Sequence, residues 1–420
     1  MSGTPALDRR LGTADAVFLG LGSMIGAGVF VAFAPAAAAA GSWLLVGLLL
    51  AAGVAYANAT SSAQLAAQYP TSGGTYVYGR ERLGEWWGFL AGWGFVIGKT
   101  SSCAAMALTF AAYAVPDPAW QRPVAVLAVV VIAAVNYRGV TRTARLTRVI
   151  VSVALVAIAV GIVAALAGAS PSAAGLDLSS TSGDGPGVYG VLQSAGLLFF
   201  AFAGYARVAT MAEEVRDPAR TIPRAITVAL VLTVGVYAAV AATLLAVLGP
   251  DQVAGSSAPL AQAVAAGSWD AAGPVVRIGA AAASLGALLA LVAGIGRTTL
   301  AMARNDDLPA WLAAVHPTYS VPHHAEVALA TVICVLVLTV DLRGAIGFSA
   351  FGVLLYYLVA NLAAYTQRGG HRRFPRWLQV AGAAACAVLV VTLPAESVLI
   401  GLAVLLMGAG YRVLRRRSTS

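Results

Sequence analysis

The chain has 420 residues, 60% of them hydrophobic and 10% charged, with a mean hydropathy of +0.83. Soluble domains carry about 25% charged residues, so this balance excludes a large soluble domain and implies an integral membrane protein. The net charge of +9 does not indicate a nucleic-acid partner, because the arginines collect on the loops of one side of the predicted spans.

Hydropathy predicts an all-α chain with twelve transmembrane helices, near 13–40, 42–66, 85–114, 121–136, 146–168, 188–212, 224–248, 272–303, 324–341, 344–366, 377–394 and 396–413. Each is close to the ~20 residues a bilayer needs, or longer. Residues Met1 to Gly12 are polar, and the first apolar run is long and followed by a second, which argues against a cleavable signal. The first span is interrupted at Gly22-Ser23-Met24-Ile25-Gly26-Ala27-Gly28-Val29-Phe30. Unpaired backbone in lipid is too costly to persist, so such a break must be buried in protein or line a cavity. A half-helix starting near Gly26 would point free N–H groups and a positive dipole end at that cavity, a setting for a carboxylate.

Lys99, the only lysine, lies mid-way along the third span. A charge at that depth is functional by default, and burial makes a cycle between charged and neutral forms feasible. It is a candidate coupling group, either as proton carrier or as fixed positive charge; a structural, internally bonded lysine is the alternative. Span 6 reads Phe199-Phe200-Ala201-Phe202-Ala203-Gly204-Tyr205-Ala206-Arg207, with a second glycine break at its midpoint. Breaks five spans apart suggest two five-span repeats of opposite orientation, about 13–168 and 188–366, with extra helices over 377–413 and no further domain. Asp15 at the start of span 1 and Arg207 are candidates for a latch between the two inner half-helices.

The loops Ala169–Val188 and Gly249–Ala272 read as small-residue or polar linkers. Cys103, Cys334 and Cys386 lie far apart in apolar runs and read as core residues; no metal set or cofactor site is expected. His316, His323 and His324 read as solvated loop residues. Glu213, Glu214, Arg216 and Asp217, like Arg304, Asp306 and Asp307, read as helix caps and surface pairs, each worth about 0–1 kcal/mol. Loop arginines from Arg9 and Arg10 to Arg415, Arg416 and Arg417 fall on one side, against Arg122 and Arg343 on the other. Charge bias sets orientation, so both termini are expected in the cytoplasm of a bacterial cell, across the inner membrane.

Four motifs make the pattern specific: Gly22–Phe30, Tyr69–Tyr76, Glu213–Pro223, and Met302–Pro309 with His316-Pro317. On them the chain resembles the amino acid–polyamine–organocation transporter superfamily over nearly its whole length. The resemblance implies a five-plus-five inverted-repeat fold with two additional C-terminal helices, and alternating-access transport. It places the substrate carboxylate on the amides of Gly26, Ala27 and Gly28. The substrate ammonium falls on carbonyls of Ser23 or Met24 and of Phe200 and Ala203. Phe202 and Tyr205 would either cover the substrate as a thin gate or pack as ordinary aromatics.

Two departures from relatives bear on coupling. The lysine that many proton-coupled relatives carry in span 5 is here Ala154, and an acidic residue of span 6 is here Ala206. Span 8, around Ala283-Ser284-Leu285-Gly286, lacks the clustered hydroxyls and carboxylates of a sodium site. The expected activity is secondary transport of neutral L-amino acids, proton-coupled. A cationic amino acid permease, an exchanger and a non-translocating amino acid sensor remain open alternatives. No selectivity ring indicates a channel, and no nucleophile–base pair in the spans indicates an enzyme.

Overall fold

Three glycines in an apolar run end one helix and permit another. α1 (Thr13–Met24) stops at Ile25, and α2 (Gly28–Val31) and α3 (Phe33–Ala40) carry the chain onward. The computed structural model describes residues 12–69, 73–139, 144–168, 187–204, 217–269 and 271–419. Among them the regular structure is helical throughout, with no strand.

The remaining helices, in order, are α4 (Leu44–Gln68), α5 (Thr75–Leu83), α6 (Glu85–Ala114), α7 (Pro118–Tyr137), α8 (Ala144–Gly168) and α9 (Gly187–Phe202). They continue as α10 (Pro218–Gly255), α11 (Pro259–Ala265), α12 (Ala272–Arg304) and α13 (His323–Thr339). α14 (Leu342–Tyr365), α15 (Arg376–Thr392) and α16 (Ala395–Thr419) complete the chain. Among the described residues nine helical stretches are long and apolar enough to cross a membrane, and α9, α13 and α15 are shorter apolar helices. The protein is a multi-pass membrane protein.

One expectation about loops is corrected, and one element is added. The loop after the second span contains α5, whose Tyr76 and Tyr78 are buried. The predicted linker 249–272 is largely helical: α10 runs on to Gly255 through a kink at Gly249 (φ 73°), and α11 follows. Proline at a first helical turn suits α11, where its missing N–H is no loss, and Leu260 and Val264 fix it to the bundle by burial. The predicted linker 169–188 falls almost wholly outside the described residues.

Small residues set the closest packing. α6 lies along α14, where a Cβ on Gly352 would sit 2.5 Å from the Gly94 carbonyl oxygen. Such residues let membrane helices approach until backbones touch. Ser101 Oγ donates to the Ala345 carbonyl at 2.8 Å, and the hydroxyls of Ser102 and Ser349 meet at 2.6 Å. These contacts fix the rotation of α6, and thereby the direction of Lys99. α1 packs against α8 and α10, and α3 and α4 against α9, so the first break and the end of α9 face one another.

Candidate functional site

Backbone geometry at both breaks leaves polar groups inside the bundle. After Met24 the Ile25 amide still donates to the Leu21 carbonyl (2.6 Å), but Gly26 N–H turns back on the Met24 carbonyl (2.8 Å). The amides of Ala27 and Gly28 donate to no other group among the described residues. They open α2, whose axis runs on almost directly into α3 through a helical Ala32, so the positive end of a half-helix sits at the gap. In α9 the last turn tightens: Ala203 N–H reaches the Phe200 carbonyl at 3.4 Å and Gly204 N–H the Phe202 carbonyl at 2.7 Å.

The two breaks touch, backbone on backbone. A Cβ on Gly204 would overlap the Ser23 carbonyl, and one on Gly28 would lie 2.7 Å from Ala201 Cα. Only glycine admits approaches this close. Tyr237 of α10 ties the breaks together, its hydroxyl shared between the carbonyls of Met24 (2.6 Å) and Ala201 (3.0 Å). Lys99 Nζ donates to the Ala203 carbonyl at 3.0 Å, and Tyr357 Oη lies 3.5 Å from the same oxygen. The lysine is buried, and among the described residues no carboxylate pairs with it. A buried lysine thus sits on the carbonyl of the residue that follows the end of α9.

The structure brings Ser23, Met24, Gly26, Ala27, Gly28, Phe200, Phe202, Ala203 and Lys99 to this one region. Within it, Ser23 Oγ bonds back to the Leu19 carbonyl at 2.8 Å, leaving its own carbonyl against Gly204. Phe202 is fully buried with its ring 4.9 Å from that of Tyr237. Tyr205 and Arg207 lie outside the described residues, as do Ala206, Glu213, Glu214 and Arg216. Asp15 accepts from the Gly12 amide (3.2 Å) and pairs with Arg148 of α8 at 2.6 Å. Sequence reasoning missed Tyr237 and Tyr357. An uncharged tyrosine in an apolar helix gives little signal beyond a hydroxyl that must find a partner.

At the arginine-rich end of the bundle, expectation and structure differ. Asp307 is not a surface residue: it is 1% exposed and pairs with Arg412 (3.0 Å, 0% exposed) and Arg80 (3.2 Å). Tyr76 Oη donates to it at 2.8 Å, and burial together with the neighbouring carboxylate pushes that phenol well above its usual range, so it remains a donor. Arg412 also lies over the rings of Trp86 (4.6 Å) and Phe89 (4.8 Å). The reason is tertiary: α16 returns to this end and inserts Arg412 beside Asp307. Asp306 behaves as expected of a surface residue, 79% exposed and paired with Arg415. Removing one partner of a buried pair costs about 3–5 kcal/mol, against about 0–1 for an exposed one. Asp307→Asn should therefore lower the thermal midpoint in detergent clearly, while Asp306→Asn leaves it unchanged; equal midpoints would contradict the buried pairing.

A groove of about 660 Å³ lies elsewhere, between α7 and α13, and is lined mostly by Val, Ala and Leu with Tyr137, Arg138 and Glu326. Among the described residues no broken backbone opens onto it, so the polar groups at the two breaks define the candidate site.

The family model described as amino acid permease matches residues 15–418. The chain is 56% identical over 416 residues to an uncharacterized transporter of Mycobacterium tuberculosis, covering 98% of this chain and 93% of that one. It is 26% identical over 403 residues to the branched-chain amino acid permease of Bacillus subtilis (91% and 85% covered). To the chloroplastic cationic amino acid transporter 7 of Arabidopsis thaliana it is 29% identical over 385 residues (85% and 65% covered).

Proposed function

The chain belongs to the amino acid permease family, and from that premise we propose that it carries neutral L-amino acids by alternating access, coupled to protons through Lys99. The observation that carries the reading is the meeting of the two breaks, with amides at Ala27 and Gly28 that are unpaired among the described residues and with Lys99 on the Ala203 carbonyl. A zwitterion matches this set. Its carboxylate is drawn to the half-helix amides and the lysine, its ammonium to carbonyls at Ser23 and Phe200. The fold reading is the twelve-span, five-plus-five inverted repeat, with both termini on the arginine-rich, cytoplasmic side.

Lys99 also bears on the substrate class. A second cation about 5 Å away at an effective dielectric of about 20 is disfavoured by about 3 kcal/mol, roughly a hundred-fold in affinity. That argues for side chains like those handled by the branched-chain relative, and against the cationic ones. Protonated Lys99 favours a bound carboxylate, so proton and substrate bind cooperatively, which is the requirement for symport.

Proteoliposomes holding the purified protein test this directly. Labelled leucine, valine or alanine should accumulate under an inward proton gradient and resist competition by arginine and lysine. Affinity measured at equal pH on both sides should weaken as pH rises. Uptake only into vesicles preloaded with amino acid would make the protein an exchanger, and saturable binding without flux a sensor.

A further inference from the structure

Three helices that contain neither break face one another with amides. Asn58, Ser61 and Gln64 of α4, Asn361 of α14 and Gln379 of α15 are each at most 1% exposed, inside a bundle otherwise packed with alanine, valine and leucine. Asn361 stands at the centre: its Nδ2 donates to Asn58 Oδ1 (2.6 Å) and to the Tyr357 carbonyl (2.9 Å), and its Oδ1 accepts from Ser61 Oγ (2.7 Å). Gly382 of α15 makes the room, since a Cβ there would lie 2.6 Å from Asn361 Oδ1.

The seam has two ends. At one, Tyr357 shares the Ala203 carbonyl with Lys99. At the other, Gln367 Nε2 donates to Gln68 Oε1 (2.6 Å) and the Gln64 carbonyl (3.2 Å), and Gln64 Oε1 accepts from the amides of Arg373 and Phe374, both at 3.3 Å. Gln68 there is half-buried, and Arg368, Arg372 and Arg373, exposed in the following stretch of chain, mark the basic face. Tyr357 and Gln367 are ten positions apart, about 15 Å along a helix. Between them Asn58 Nδ2, Ser62 Oγ, Gln367 Oε1 and both polar atoms of Gln379 have no partner among the described residues. Buried amides are rarely left so, and internal water is their usual partner. The titratable groups around Lys99 are Cys103, one turn along its own helix, and Tyr357 from the facing helix.

We propose that this amide seam is a hydrated path by which protons pass between Lys99 and the basic face, separate from the substrate route at the breaks. The Lys99 ammonium hands a proton to water beside the Tyr357 hydroxyl, leaving a neutral amine, and the proton leaves through water held by the amides of Asn361, Asn58 and Gln64. The path rests on Lys99 being the coupling group.

The test compares the double variant Asn58→Leu/Asn361→Leu with Lys99→Met in proteoliposomes. Accumulation of leucine under a proton gradient should vanish in the double variant, with internal leucine no higher than external, while leucine counterflow persists. X-ray radiolysis of the wild type in ¹⁸O-water should label Cys386, whose Sγ lies 3.4 Å from Asn58 Oδ1, and the label should fall in the double variant. Wild-type accumulation by the double variant overturns the path while leaving the coupling role standing if Lys99→Met has lost accumulation. Full accumulation by Lys99→Met overturns the coupling role, and the path with it. Should the double variant lose counterflow too, the wild-type footprint decides: a labelled Cys386 supports the path and an unlabelled one overturns it.

Discussion

Replacing Lys99 with methionine should abolish gradient-driven accumulation, weaken leucine binding and let arginine compete. Each effect follows from one contact. A hydrogen bond involving a charged group is worth about 1.5–3 kcal/mol, so losing the ammonium, held at the breaks by the Ala203 carbonyl, as a partner for the substrate carboxylate should cost neutral substrates roughly ten- to a hundred-fold in affinity. The same change removes the repulsion that keeps cationic side chains out, so affinities for leucine and arginine should move in opposite directions. Lys99→Arg separates the two roles open to the lysine. Arginine keeps the charge but cannot release its proton. If Lys99 is a proton carrier, Lys99→Arg should retain counterflow, lose accumulation and bind leucine with an affinity independent of pH. Normal accumulation by Lys99→Arg would make the residue a fixed charge and remove it from the proton's route.

What could be read in the chain was whatever breaks a local pattern. Three glycines inside an apolar run announced the first break, which falls at Ile25–Ala27. A lone lysine at membrane depth announced the coupling candidate, because hydrocarbon penalises a charge wherever it lies. What could not be read was which groups meet. Lys99 and Ala203 are 104 positions apart, and only the small-residue packing of α6 on α14 turns one toward the other. Asp15 finds Arg148 because α1 lies on α8, where a Cβ on Gly22 would meet Val151 and Thr147. Asp307 becomes buried because the last helix returns Arg412 to it. Tyr237 and the amides of Asn58, Asn361 and Gln379 break no pattern singly, since each is one uncharged polar group in a long apolar helix. Their meaning lies in convergence, which spacing along one helix does not encode.

Gly204→Ala should stop transport, whereas Gly235→Ala, on the helix that carries Tyr237, should not. At Gly204 the added Cβ would overlap the carbonyl carbon and oxygen of Ser23 and lie 2.9 Å from Met24 N. These are backbone atoms of a helix end already held by Tyr237, so no side-chain rotation relieves the clash. Overpacking of this kind costs about 1–3 kcal/mol, and here the structure relieves it by parting the breaks. Parting them pulls the Ala203 carbonyl from Lys99 and unbalances the shared Tyr237 hydroxyl, so substrate groups no longer converge. Transport should fall by roughly five- to a hundred-fold or more, with the protein still monodisperse in detergent. At Gly235 nothing lies within 4 Å of an added Cβ, and alanine in a helix interior gains about 0.5–1 kcal/mol over glycine. Its variant should transport as the wild type and melt no lower. Equal transport by both variants would mean that the backbone contact between Ser23 and Gly204 is not made at any rate-determining stage of the cycle, and the two breaks would then act as independent hinges instead of one joined site.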